Sequence, residues 1–464
     1  MNSSFSLRIV CLLFGCAVSS GVLAQTAFTL KEAQEYAVKT NVNALNAKLD
    51  VDMAVARKNE IRAIGLPQLN ASVDIKDYVK LPVAFFPDFI GPAIYQSLLA
   101  YQVLPPGTPA PPSRDPSAVA LGTKYNITAG ATLSQLLFSN DYLVGLQASK
   151  AYLDLSQKML DRSAIETRVA VAKAYYSVLI NRERIKLLDA NIERLEKLRS
   201  DIVAMGAAGF VERIDQNRVE VSLNNLKTEK EKIGRLMLLA EYLLKFQMGY
   251  PADQSITLTD QITLEQLPSP DLLDNSKANA SNRIEYKLLE SQVKLNALDL
   301  KRNRGGYLPS LAAYSSGSYS FQKNNLDLGG FRWIPVLIVG ATLNVPIFDG
   351  FSKHFKIQQA VINLQKSKNQ QAQFEQAVQL EVAQAQASYN NALSSIKTQQ
   401  RNAELAREVY DVTKTKYQQG VGTNTDVVNA DAALKESQTN LYNSLYDFYL
   451  AKIDLDKALG TFTK

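Results

Sequence analysis

Along this chain the spacing of apolar positions switches between the period of a helix and the period of a strand, and the whole cycle then recurs. Residues 28–63 read as one helix, with Thr29 as N-cap and Glu32 three residues on completing a capping box. Proline in Leu66-Pro67-Gln68-Leu69 stops it. Leu69, Ala71, Val73 and Ile75 then alternate with Asn70, Ser72, Asp74 and Lys76, the two-residue period of a half-buried strand. From Leu81 to Leu121 prolines at 82, 87, 92, 105, 106, 109, 111, 112 and 116 exclude regular ladders and helices over most of the segment, with a short apolar turn possible over Ile94 to Tyr101. The return strand runs from Tyr125 to Leu137, with Tyr125, Ile127, Ala129, Ala131 and Leu133 on one face.

No proline occurs between 117 and 250. Ile185, Leu188, Ile192, Leu195 and Ile202 fall at 3–4 spacing there, with Arg199 as the polar member of the seam. After a break at Gly206 to Gly209, the pattern resumes through Val219, Leu223, Leu226, Ile233, Met237, Ala240 and Leu244, interrupted by Lys230. Sustained alternation of this kind predicts helix packed on helix as in a coiled coil. Gly249-Tyr250-Pro251 ends it.

The cycle then starts again. After a polar connector over 251–270, Leu272 to Arg304 repeats the first helix and Leu308-Pro309-Ser310-Leu311 repeats Leu66-Pro67-Gln68-Leu69. Residues 313–321 and 333–347 repeat the strand pair, and Gly340-Ala341-Thr342-Leu343 matches Gly130-Ala131-Thr132-Leu133. An offset of 211 superposes Gly209 on Gly420, Asp215 on Asp426 and Gly249 on Gly460. Ordered landmarks over such a span indicate one fold present twice. The expected repeats are 25–250, with strands about 66–80 and 122–137 and a long helix about 140–205, and 271–464, with strands about 308–322 and 333–347 and a long helix about 350–419.

The last of these helices is the most constrained. No proline follows Pro346 and no glycine lies between Gly350 and Gly420, so nothing breaks it for about 67 residues, or roughly 100 Å at 1.5 Å per residue. Glutamines such as Gln358, Gln365, Gln373 and Gln384 alternate with alanines along it, a face polar without strong charge. That composition fits a wall wetted on both sides or the exposed face of an ordinary coiled coil. Four strands cannot close a barrel and would leave open edges, so the strand count requires further copies of the chain.

Composition narrows the class. Met1 to Arg8, the apolar run Ile9 to Val18 and Val22-Leu23-Ala24 form a secretory signal expected to be cleaved after Ala24. Both cysteines, Cys11 and Cys16, lie inside it, and lipidation of Cys16 is the competing reading, opposed by bulky Phe14. The rest of the chain then has no disulfide, and the single histidine, His354, lacks the partners of a zinc site. Charges are mixed along the helices with no basic block, which argues against nucleic acid as a partner. After the signal no apolar run approaches a transmembrane helix. The fingerprints of hydrolases, nucleotide-binding enzymes and dehydrogenases are absent, so no catalytic, cofactor or metal residues are assigned.

In this order, the doubled repeat, the Leu-Pro-x-Leu entries, Phe348-Asp349-Gly350 opening the long helix and Tyr417-x-x-Gly420 leading to Asp426 resemble the outer membrane efflux protein family, the TolC-like channels of Gram-negative bacteria. The resemblance covers nearly all of the chain after the signal. It implies an α+β membrane protein of two tandem helix-strand-strand-helix-helix repeats, forming a homotrimer in outer-membrane lipid. Its twelve strands would make one β-barrel, continued by a periplasmic α-helical barrel that docks on a periplasmic adaptor (membrane fusion) protein and an inner-membrane transporter. The implied role is the exit channel of a tripartite efflux or type I secretion system, with 81–121 an extracellular loop and substrate choice left to the transporter. A periplasmic coiled-coil adaptor or scaffold without a pore is the alternative.

The resemblance also implies a gate at the hairpin tips. Tyr417 and Asp215 match the closing network, and Asp426 and Asn429 match the acidic pair that lines the constriction. The tip turns Gly206, Gly209, Gly420, Val421, Gly422 and Thr423 would meet the adaptor. Asn429 stands where the pattern has an acid and Gly422 where some members have an arginine latch, so a weaker lock is expected. A plainer role for Asp426 is N-capping of the last helix, beside Thr425.

Overall fold

The computed structural model describes residues 26–112, 115–209, 211–262, 279–325 and 333–462. The signal over 1–24 with Cys11 and Cys16, the connector beyond 262 and the start of the second half at 272–278 lie outside the described residues. The fold is α+β and is dominated by long helices. The chain forms two compact units. One is helical, comprising Val51 and what precedes it, Ser156–Leu288, and Gln371 onward; the other carries the main sheet, Asp52–Leu155 with Leu289–Gln370.

In the helical unit, β1 (Thr26–Phe28) pairs in parallel with β6 (Ile256–Leu258). The connector expected to be merely polar therefore contains a strand. Thr29 caps α1 (Leu30–Thr40) in a full capping box with Glu32. The single helix expected over 28–63 is broken at Asn41, whose ψ of 132° separates α1 from α2 (Val42–Ile64). The break is held by tertiary bonds: the Asn41 amide donates to the Gln247 carbonyl at 2.8 Å, and the Thr40 hydroxyl donates to that of Met248 at 2.6 Å. These carbonyls belong to the end of α5 (Arg213–Met248), which closes on left-handed Gly249. A Cβ at 249 would stand 2.6 Å from the Thr40 carbonyl oxygen, so glycine is needed both for its φ and for the close approach.

The helical core is built from seams. Leu188, Leu195, Leu198 and Ile202 of α4 (Asn140–Ala207) pack on Val219, Leu223, Leu226 and Ile233 of α5, and the same cluster takes in Tyr410 and Tyr417 of α7 (Ser352–Gln418) and Val427 and Leu434 of α8 (Asn424–Ala458). One seam position differs from the sequence reading. Leu198, not Arg199, completes the row, and Arg199 turns outward to pair with Glu220 at 2.6 Å. The physical reason is chemistry rather than spacing: strict 3–4 alternation points to 199, but burying apolar Leu198 is favourable while burying a guanidinium is costly, so Leu198 enters the seam and Arg199 meets Glu220 at its edge. Lys230 reaches Asp189 at 2.5 Å.

The second unit holds a four-stranded antiparallel sheet, order β2-β5-β7-β8, from β2 (Gln68–Asp77), β5 (Tyr125–Phe138), β7 (Ser310–Lys323) and β8 (Ile334–Asn344). Its register places Leu69 beside Leu133, Ser315 and Val339, and Ala71 beside Ala131, Gly317 and Leu337, on one mainly apolar face. The other face is polar over β2, β5 and β7, where Asp74, Thr128 and Ser320 lie in one row and the Thr132 hydroxyl donates to Ser316 at 3.0 Å, whereas β8 adds Ile334, Val336 and Ile338 to it. The apolar face is bare, with Leu69 72%, Ile75 76% and Leu337 77% exposed. Phe321 is buried against Trp333, ring centroids 6.1 Å apart.

The proline-rich segment is more regular than its composition suggests. Val83–Phe86 (β3) and Ser117–Ala120 (β4) form an antiparallel pair, and α3 (Ile90–Ala100) occupies eleven residues between them. Pro82 and Pro116 sit just outside the ladder and Pro92 in the first turn of α3, where a missing N–H costs nothing. Proline position, rather than proline count, decided the local structure.

Candidate functional site: the hairpin tips

The two long hairpins of the helical unit, α4–α5 and α7–α8, turn at glycines that the chain needs for their backbone conformation. Gly209 and Gly420 have φ of 80° and 77°. At the second turn the Gly420 N–H donates to the Tyr417 carbonyl and the Val421 N–H to that of Lys416, both at 3.0 Å, a Schellman ending that satisfies the last carbonyls of α7. Gly422 follows with no room beside it: a Cβ there would lie 3.1 Å from the Tyr417 nitrogen. Gly206 stays within α4, and a side chain at that position would collide with the Gln216 amide. Val421 is 74% exposed, the most solvent-accessible apolar residue of the turn.

Thr423, not Asp426, is the N-cap of α8. Asp426 takes the third helical position, its N–H donating to the Thr423 hydroxyl at 3.2 Å while its carboxylate accepts from the Thr423 hydroxyl at 2.6 Å and backbone N–H at 3.3 Å. This reciprocal box, with a carboxylate at the positive end of the helix dipole, fixes Asp426 on the outside of the first turn. Asn429, three residues on, is exposed on the same side.

Asp215 sits in the first turn of α5 and meets the start of α8. The Asn424 amide donates to the Asp215 carbonyl at 3.1 Å and to its carboxylate at 3.2 Å, and Asn424 is buried. Arg218 pairs with the same carboxylate at 3.4 Å and donates to the Thr425 hydroxyl at 2.5 Å. Asp215 is thus brought to the second hairpin, but through Asn424 and Arg218 rather than through Tyr417. The Tyr417 hydroxyl is buried among the seam residues without a hydrogen-bond partner among the described residues. Burial raises its pKa, and the nearby Asp215 charge adds to the effect.

One turn further along lies a polar cluster that sequence reasoning missed. Arg194 of α4 pairs with Asp431 of α8 at 2.8 Å, the carboxylate side chain only 6% exposed, and the guanidinium lies 4.9 Å from the Tyr410 ring centroid. Burial pushes the Asp431 carboxyl up, more than the Arg194 charge beside it pulls it down. It pushes the Tyr410 hydroxyl up to about 12. The signal was present: Asp431 falls in the helical row of Val427, Ala430 and Leu434, where a charge demands a partner.

Among the described residues of the tips there is no nucleophile–base pair. Among the described residues no group of three His, Cys, Asp or Glu could hold a metal ion, and no helix is long and apolar enough to cross a membrane. The arrangement offers a mechanical contact between two hairpins, breakable at Asn424, Thr425, Asp215 and Arg218, beside the exposed Asp426 and Asn429.

The sequence profile of the family described as "Outer membrane efflux protein" matches residues 282–461. The chain is similar to outer membrane protein TolC of Vibrio cholerae serotype O1, 24% identical over 358 residues that make up 73% of this chain and 77% of that protein. It is also similar to the alkaline protease secretion protein AprF of Pseudomonas aeruginosa, 23% identical over 69% of this chain and 66% of that one. A crystal structure of CusC, described for transmembrane channel formation, shares the fold at a TM-score of 0.72 and 16% identity, over 93% of this chain and 91% of that one.

Proposed function

We propose that this chain is the outer-membrane exit channel of an efflux or type I secretion system, a reading supported by the match of residues 282–461 to the outer membrane efflux protein family and by the likeness to TolC and AprF. The observation that carries the reading is the four-stranded sheet. Its apolar face is uncovered, its polar face is hydrogen-bonded, and among the described residues its outer strands β2 and β8 have no neighbour on their free edges. Three copies joined edge to edge close twelve strands, with Leu69, Ile75 and Leu337 toward lipid and Asp74, Thr128 and Ser320 toward water. The likeness between halves, down to left-handed glycines at 209 and 420 and at 249 and 460, supports a duplicated fold. The helical units extend into the periplasm, where a periplasmic adaptor and an inner-membrane transporter engage the tips.

Conduction is passive, and the tips are the gate. Three Asp426 carboxylates near one axis attract cations and disfavour anions, with Asn429 contributing no charge. Closure rests on Asn424 and Arg218 holding Asp215, in place of the arginine absent at Gly422. Planar-bilayer recording tests the gate through Asp426→Gln, since glutamine at the third helical position still serves a capping box but carries no charge. Loss of cation preference is expected; unchanged selectivity in a stable trimer overturns the assignment. Detergent-dependent recovery of a trimer from outer membranes tests the channel itself, because a poreless scaffold is released without detergent.

A further inference from the structure

The helical unit contains a cavity of about 810 Å³ that the channel reading leaves without a role. It lies where α1 and the start of α2 meet the middle of α4, the start of α6 (Ile284–Arg304) and the end of α8. Its volume falls in the range of small-molecule sites, roughly 300–1,000 Å³. Val38, Leu45, Leu160, Ile165, Ile284 and Phe462 make the walls apolar.

Its charge is one-sided. Lys39, Lys48, Arg168 and Lys287 stand around the space, and among the described residues none of them holds an ion pair, while the charge of a fifth cation, Lys457, helps to hold the Glu285 carboxyl below its ordinary value. Asp161 and Glu285 are the acids of the lining, and each is engaged. Glu285 accepts from Arg283 at 3.0 Å, and Arg283, itself buried, also bonds Glu381 and the Ala458 carbonyl, both at 3.1 Å. This fixes one wall and commits its carboxylates. Several lysines elsewhere in the unit meet an acid on a neighbouring helix, as Lys173 does with Asp454 at 2.5 Å, Lys227 with Glu196 at 2.9 Å and Lys435 with Glu229 at 2.6 Å.

Cations converging on a half-enclosed apolar space repel one another, and an anion among them relieves the repulsion more than it would in open water. An apolar body on that anion displaces water from the walls. We propose that this cavity binds an amphipathic organic anion, an acidic head group carried on an apolar body. The inference is independent of conduction and of the tips. Such a ligand comes either from the bilayer, as an alkyl carboxylate, or from solution, as an aromatic sulfonate.

Single-thiol protection tests it on the full chain in lipid nanodiscs. Cys11 and Cys16 are the only cysteines, so with both changed to serine, Ala164→Cys puts one thiol on the cavity wall. Decanoate or naphthalenesulfonate is expected to slow alkylation by N-ethylmaleimide about five-fold or more, and which of the two protects better identifies the source. Decanol at equal concentration is expected to leave the rate unchanged. Lys39→Gln with Lys48→Gln, both on exposed side chains that do not hold the fold together, should raise the half-protecting concentration about ten-fold. Absence of protection, equal protection by decanol or by inorganic phosphate, or protection unaltered in the double variant overturns the proposal.

Discussion

Replacing Asn424 by aspartate preserves the shape of a buried side chain while removing its donor. Asn424 is 3% exposed, and its amide makes both bonds to Asp215, at 3.1 and 3.2 Å. Losing two hydrogen bonds, one to a carboxylate, costs about 2–4 kcal/mol. A second carboxylate 3.2 Å from the first adds repulsion of about 5 kcal/mol at an effective dielectric of about 20, of which Arg218, 3.4 Å from Asp215, offsets a part. The total is on the order of 5 kcal/mol at neutral pH, enough to part the hairpins. Asn424→Ala is far milder. It also removes the side-chain amide oxygen Oδ1 of Asn424, which is buried without a partner, and recovers about 1–3 kcal/mol of desolvation, leaving a net cost near 1 kcal/mol.

The sign with pH follows. Two carboxylates in contact raise the folded-state pKa of the introduced group, so the contact is intact below its unfolded value and is lost as pH rises through the folded one. Amide exchange of the first turns of α5, corrected for intrinsic rates, and single-channel open probability should both rise in Asn424→Asp between about pH 5 and about pH 8. If Asn424→Ala opens the tips as far as Asn424→Asp, carboxylate repulsion is not what parts them; if neither differs from the native chain, the hydrogen bonds at Asp215 do not hold the hairpins together.

The Arg194–Asp431 pair behaves differently because it is interior. Arg194→Leu is expected to cost about 3–5 kcal/mol by stranding a buried carboxylate, and adding Asp431→Leu should restore most of it in thermal unfolding. The Asp431 carboxyl is raised above its ordinary 3.8, so its favourable contribution is complete below that value and fades as pH rises through the folded pKa; urea titrations should show that slope vanish in Asp431→Asn. Gly420→Ala meets no neighbour but must adopt φ of 77°, a cost of about 1–2 kcal/mol readable as a lower melting temperature. Leu337→Arg, on the bare sheet face, should cost about 2–4 kcal/mol in lipid and lower the yield of membrane-inserted trimer on unheated gels, while leaving the helical unit folded.

Periodicity and punctuation determined much of this protein before any coordinates. The capping box at Thr29, the seam from Leu188 to Ile233 and the apolar rows of β2 and β5 depend on neighbours a few residues away or on the side of a helix or strand that spacing alone dictates. Left-handed Gly209 and Gly420 were likewise marked by a break in an otherwise unbroken helical pattern. Tertiary structure decided what local pattern leaves degenerate. Residues 28–63 are split at Asn41 because carbonyls from the end of α5, some two hundred residues away, offer its amide and the Thr40 hydroxyl better partners than a continuing helix does. Leu198 rather than Arg199 fills the seam because burying a leucine is favourable and burying a guanidinium is not, a choice that spacing does not make. Asp215 was legible as an acid near a tip, but its partners Asn424 and Arg218 were not, since which polar side chains meet across two hairpins is set by packing distances of about 3 Å that no spacing within one helix encodes.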